Sequence, residues 1–349
     1  MSEAEVIVAV EGRVGRLTLN RPRALHALTA AMCQAMTDAL LAWRDDPKVE
    51  AVLLDHAGER GFCAGGDIRA AAEGARGDGQ AARDFFRIEY QLNALLFAYP
   101  KPVMAVMDGV TMGGGVGIAR PARYRIATER TLFAMPEGAI GLFPDVGAGW
   151  YLSRLPGREG LWIALTGARL GPADCLLLGL ATDYVPSARV EPLKAAFLAD
   201  PTGLEVALTE LEGDAGEPPI ALVRDQIDRL FGGDSVEAVV EALRADGSPW
   251  AQTQLEAIER ASPTTMKVAF RQLAISAGLE RFEDEMAMEY RLAARLSAAH
   301  DFAEGVRAVL VEKDRNPKWS PASLQAVDDA RLDALFAPLG AEAEWRPVA

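Results

Sequence analysis

Residues 51–67 read AVLLDHAGERGFCAGGD. The run Ala51–Asp55 is apolar up to its last residue, as expected of a strand buried on both faces. It leads into a tight turn at Gly61–Asp67. The pattern then recurs. Pro102–Met107 is a second apolar strand, and Asp108–Gly117, DGVTMGGGVG, is a second glycine turn that opens a short helix. Tyr124–Ala127 is a third strand, leading through Thr128 and Glu129 to the stretch 132–150, LFAMPEGAIGLFPDVGAGW. This strand–turn–helix rhythm predicts an α/β fold of repeated right-handed ββα units.

The flanks extend the pattern. Residues 5–10 and 13–19 read as strands separated by Glu11-Gly12. Thr29 reads as the N-cap of a helix over 30–43, with Met32, Met36, Leu40 and Trp43 at helical spacing. A second helix is expected from about Gln80 to Ala98. Helices follow around 147–155, 158–166 and 172–178. Beyond about residue 187, strand-like runs vanish and amphipathic helices are expected over 205–212, 220–231, 235–245, 250–261, 263–276, 279–299 and 301–313. Ser262-Pro263 reads as an N-cap with proline at the first helical position. Glu212–Pro219 is the expected flexible connection. The chain therefore divides near residue 200 into an α/β core, 1–200, and a helical part, 201–349.

Lys plus Arg total 36 and Asp plus Glu 50, giving a net charge of −14 over 349 residues. Such acidity argues against binding nucleic acid or anionic membranes. Cys33, Cys63 and Cys175 are odd in number and form no framework, which points to a reducing compartment, the cytoplasm. The start MSEAEVIVAV lacks the pattern of a secretory signal. No apolar run approaches a membrane span. His26, His56 and His300 have no metal-like spacing and are expected at the surface or satisfied in the core, so no metal site is expected.

The two glycine turns lie at strand ends, where backbone amides are left unpaired. Two amides converging from Gly65-Gly66 and Gly113-Gly114-Gly115 would form an oxyanion hole, each donor worth about 3 kcal/mol to a developing negative charge. Glycine permits the close approach, and a helix opening at Gly114 adds its positive end. Neither turn completes a phosphate-binding loop or a dinucleotide fingerprint, and no serine elbow is present. Downstream, Glu137 and Asp145 each follow a proline, among Phe133, Met135, Ile140, Leu142, Phe143 and Val146. Poorly solvated acids of this kind are working groups or turn residues. Cys63 has no histidine at a suggestive position and reads as a small buried filler.

Taken in order, Gly61-Phe62-Cys63-Ala64-Gly65-Gly66-Asp67-Ile68, Gly109–Gly117 and Met135-Pro136-Glu137 resemble the crotonase (enoyl-CoA hydratase/isomerase) superfamily. The resemblance implies a spiral of ββα units, an acyl-CoA substrate and an oxyanion hole at the Gly66 and Gly114 amides. Hydratases of that superfamily use two glutamates; one corresponds to Glu137, and the other falls on Gly117, so one acid is missing here. Further phrases, Phe85–Tyr90, Gly141–Gly147, Ser262-Pro263-Thr264, His300-Asp301-Phe302 and Lys313–Trp319, resemble the superfamily's hydrolase branch, which acts on 3-hydroxyisobutyryl-CoA in valine breakdown.

That branch implies thioester hydrolysis with Glu137 and Asp145 as catalytic groups. It also implies substrate contacts from Glu89, Gly114, Glu137 and Asp145. Glu89 by spacing alone reads as part of a solvated helix face; the resemblance alone assigns it to substrate. Arg21 and Arg23 are placed at the coenzyme's phosphates. No cofactor is implied beyond the coenzyme A of the substrate, and a homo-oligomer is compatible. The alternative activity is an enoyl-CoA hydratase or isomerase.

Overall fold

The structure is a computed structural model and describes residues 4–68 and 79–348. Among them the strands are β1 (Val6–Glu11), β2 (Val14–Leu19), β3 (Ala51–His56), β4 (Gly61–Cys63), β5 (Val103–Met107), β6 (Val110–Met112), β7 (Tyr124–Ala127), β8 (Leu132–Ala134) and β9 (Asp183–Tyr184). A six-stranded sheet runs β1-β2-β3-β5-β7-β9. The β1–β2 hairpin is antiparallel, closing at Glu11 opposite Val14, and every later pair is parallel. β3 and β5 are buried at every position, as their apolar runs require.

The expected ββα rhythm is present, with an addition: β4 and β6 lie where the sequence reading placed turns, and β8 where it placed no element. Each of β3, β5 and β7 passes within a few residues into a three-residue strand of a second parallel sheet, β4-β6-β8. Strands this short carry too few side chains to show alternation.

The helix Ala30–Arg44 begins where Thr29 Oγ1 accepts the Met32 N–H at 3.1 Å. It packs against the helix Gln80–Phe97, which in turn packs against Phe282–Leu296. The helix Pro263–Ser276 is capped by Ser262 and lies on Ala148–Leu152 and Glu159–Thr166. Among the described residues two α-helices fall outside the expected set, Val190–Ala199 and Asp329–Phe336. Pro192 obscures the first, yet it sits in the opening turn, whose N–H groups need no partner within the helix. The helix expected over 301–313 is His300–Val306 followed by a wider π-turn, Arg307–Val311. One apolar cluster takes in Phe86, Phe143, Phe282, Tyr290 and Trp345, so side chains from both sides of residue 200 share a core.

The buried histidine His56 departs from expectation. Both its ring nitrogens lack hydrogen-bond partners among the described residues, and burial pushes its pKa down to about 4. Its ring packs against Phe62 and His26, so it serves as a neutral filler.

Its neighbour Asp55 is 1% exposed and fully partnered. Its Oδ1 accepts from Thr18 at 2.7 Å, and its Oδ2 meets Arg16 and Lys194, each at 2.8 Å. Removing one member of such a cluster strands the others. Asp55→Asn is expected to cost about 3 kcal/mol in urea unfolding at pH 7. Arg16 and Lys194 hold the Asp55 carboxyl below its ordinary value despite burial. Its contribution is therefore present above the unfolded pKa of about 4 and lost as pH falls through the lower folded value, so the deficit should shrink in acid.

Candidate functional site

Because β4, β6 and β8 are parallel neighbours, their carboxyl ends lie at one edge of the small sheet. The turn after β4 holds Gly65-Gly66, the turn after β6 holds Gly113-Gly114, and β8 runs into Met135-Pro136-Glu137. Leu28 pairs with the first turn: its N–H donates to Gly65 O, and Asp67 N–H donates to Leu28 O, both at 2.8 Å. The intervening Gly66 N–H points the other way and has no partner among the described residues. The Gly114 N–H, at the first residue of a helix, has none either. The two lie close together: a methyl group built on Gly114 would stand 3.3 Å from Gly66 N. One built on Gly113 would stand 2.9 Å from Glu137 Oε1. Two unspent amides and a carboxyl thus face the same space.

That space is a cavity of about 830 Å³. Gly66, Gly114, Glu89, Glu137 and Asp145 all line it, so the structure brings together these five residues. The three acids are buried, at 2%, 6% and 4% exposure respectively. Asp145 Oδ2 accepts from the Tyr90 hydroxyl at 2.8 Å. Glu89 Oε1 and Glu137 Oε2 have no partner among the described residues. Burial first, and then the Asp145 charge, push the Glu89 and Glu137 carboxyls well above the ordinary range. Asp145 is pushed up to about 7 by burial, against the Tyr90 hydrogen bond, which holds it back. Among the described residues no cation pairs with any of these three acids.

Gly114 and Gly117 are required by close approach. A side chain on Gly114 would run into Glu89 Oε1. One on Gly117 would meet Val146 Cβ at 2.5 Å and Asn93 Nδ2 at 2.8 Å. The space beside Gly117 is therefore filled by Val146, in the turn that follows Asp145.

Arg21 and Arg23 part company. The Arg21 guanidinium bonds Ala27 O, Asp67 Oδ2 and Glu5, and is spent on holding its turn. Arg23 is exposed and lines the cavity, together with Arg60 and Lys313. The sequence reading gave no role to Arg60, which carries no local motif, nor to Lys313, which it placed only within the phrase Lys313–Trp319. It also missed Tyr90. Glu89 lies within a buried stripe, Ala82, Phe85, Phe86, Glu89, Asn93 and Leu96, whose helical spacing contradicts a solvated face. Cys63 is buried, as expected of a filler, with its thiol donating to His26 O at 3.2 Å.

The family model for enoyl-CoA hydratase/isomerase matches residues 14–336. The chain is 42% identical to "3-hydroxyisobutyryl-CoA hydrolase, mitochondrial" of Gallus gallus over 97% of its length and 90% of the relative's. It is 44% identical to the protein of that name from Danio rerio, over 96% and 90%. A solved carnitinyl-CoA dehydratase from Mycobacterium thermoresistibile superposes with a TM-score of 0.93 at 43% identity, covering 97% of this chain and 98% of that one. An enoyl-CoA hydratase from Rhodobacter sphaeroides gives 0.91 at 39%, covering 98% and 100%. Among the described residues no helix is long and apolar enough to cross a membrane. With paired strand-end amides, a carboxyl-lined cavity and a family match over nearly its whole length, the chain belongs to the crotonase (enoyl-CoA hydratase/isomerase) superfamily.

Proposed function

We propose that this protein is an acyl-CoA thioester hydrolase that converts 3-hydroxyisobutyryl-CoA and water to 3-hydroxyisobutyrate and free coenzyme A. The observation that carries the reading is Glu137 facing two unspent amides while the second acid position, Gly117, is closed by Val146. The relatives of that name, matched over nearly the whole chain, support the same substrate.

In this reading the thioester oxygen sits between the Gly66 and Gly114 amides, which take its growing negative charge. Glu137 acts at the adjoining carbon by one of two routes. As general base it takes a proton from water while the water oxygen bonds to the carbonyl carbon. The carbon–sulfur bond then breaks, and the proton passes to the leaving thiolate. As nucleophile it forms an anhydride with release of the thiol, and water then opens the anhydride. Both routes consume one water and end in an acid and a thiol. Asp145 and Glu89 hold the substrate hydroxyl, and a site so built rejects acyl groups lacking it. Arg23, Arg60 and Lys313 supply positive charge for the coenzyme's phosphates. Coenzyme A enters as part of the substrate, and no other cofactor is used. We place the protein in the cytoplasm, since Cys33, Cys63 and Cys175 are free thiols; the animal relatives are named as mitochondrial.

The solved relatives named for hydration or dehydration favour a second reading, enoyl-CoA hydratase or isomerase, with Asp145 as the other proton-transfer group. Thiol release decides between them. Hydrolysis of 3-hydroxyisobutyryl-CoA should fall about 10³-fold in Glu137→Gln and at least about tenfold in Asp145→Asn. Loss of conjugated enoyl-CoA absorbance without thiol release would instead support hydration.

Introducing the missing acid should not create a hydratase. Gly117→Glu is expected to displace Val146 and lower thermal stability, with no hydration of an enoyl-CoA.

The acid limb of kcat/KM tests the electrostatics. Glu137 must be ionised to act, and its carboxyl is pushed up by burial and by Asp145. Activity should therefore climb through neutrality rather than saturate above pH 5. In Asp145→Asn the residual activity should titrate lower, because the like charge is gone.

A further inference from the structure

A second pair of buried acids lies behind the site. Glu285 and Glu289 sit one turn apart on the helix Phe282–Leu296, both at 0% exposure. Neither lines the substrate cavity. Glu289 Oε2 accepts the Gly147 N–H at 2.7 Å, and its Oε1 accepts the Gly149 N–H at 3.3 Å. Gln272 binds the same assembly: its Nε2 donates to Glu289 Oε1 at 3.1 Å and to Pro144 O at 2.9 Å. The backbone is thus gripped at Pro144, just before Asp145, and at Gly147 and Gly149, two and four residues after it.

The segment between the grips is strained. Val146 has φ +56, in the left-handed region that a β-branched residue rarely enters, and Gly147 follows at φ +88. Conformations of that kind persist only where the surroundings over-determine them. The supporting helix is itself fixed: Phe282 stacks on Phe97 with ring centroids 3.9 Å apart. Tyr90, which orients the Asp145 carboxyl, lies edge-on to Tyr290.

We infer that Glu289 is a positioning residue: by accepting the Gly147 and Gly149 amides, it holds the turn that aims Asp145 at the substrate hydroxyl. Glu285 lies against this grip with both oxygens out of water. Burial, and the neighbouring Glu285, raise the Glu289 carboxyl. The inference rests on the reading of Asp145 as the group that binds the hydroxyl.

The test compares kcat/KM for 3-hydroxyisobutyryl-CoA with that for isobutyryl-CoA, which lacks the hydroxyl, by thiol release. The ratio is measured in the wild type, Asp145→Asn, Glu289→Gln and the double variant. Glu289→Gln keeps the side-chain length but turns one acceptor into a donor facing an N–H. It is expected to cut the ratio about tenfold, and the double variant should be no worse than Asp145→Asn alone. General loosening of the fold would lower both substrates together and would add to the Asp145 effect. A wild-type ratio in Glu289→Gln, with the ratio collapsed in Asp145→Asn, overturns the role of Glu289 alone. An intact ratio in Asp145→Asn overturns the underlying reading and the inference with it. Should Glu289→Gln not fold, Gln272→Met removes the grip on Pro144 O. It should cut the ratio about threefold, again hidden by Asp145→Asn; an unchanged ratio there overturns the inference.

Discussion

The site depends on three short strands pairing in parallel. β4, β6 and β8 lie side by side, at the roughly 4.8 Å spacing that backbone hydrogen bonding imposes. Whatever follows their carboxyl ends is therefore held within a few ångströms. Two glycine turns and a Pro-Glu step, separated by dozens of residues in the chain, become neighbours for that reason alone. The amide groups at Gly66 and Gly114 stay unspent because one borders a bridge whose bonds run the other way, and the other opens a helix.

The fold treats buried acids in two opposite ways. Asp55 is surrounded by Thr18, Arg16 and Lys194, and these hold its carboxyl below the ordinary range. Glu89, Glu137 and Asp145 are also buried and, among the described residues, have no cation partner, and their carboxyls are pushed upward. The first arrangement stabilises the protein. The second costs stability, since a charge out of water without a partner is unfavourable. An uncompensated cluster facing a cavity is where perturbed groups are put to chemical use. The strained Val146 turn belongs to the same expense, and the surrounding helices offset it.

Much of this was legible in the chain. Apolar runs ending in glycine turns gave the longer central strands and the ββα rhythm, and Thr29 and Ser262 gave helix starts that the structure keeps. Gly66, Gly114, Glu137 and Asp145 were each nominated from local pattern or family resemblance, and all four line the cavity. The three-residue strands were not legible, because alternation needs more positions than they have. Pro192 concealed a helix by standing in its first turn. The burial of Glu89 was present in the spacing of its neighbours, which a single acid among them masked.

By itself, the sequence determined which residues could do chemistry and which turns could bring backbone close to a ligand. Those properties reside in one residue and its immediate neighbours. Tertiary structure alone decided that Val146 fills the place beside Gly117, that Arg21 is spent on its own turn while Arg23, Arg60 and Lys313 line the cavity, and that Glu289 grips an amide 142 positions away. Contacts at such separation leave no period or motif, because they are set by how layers pack rather than by what adjoins along the chain.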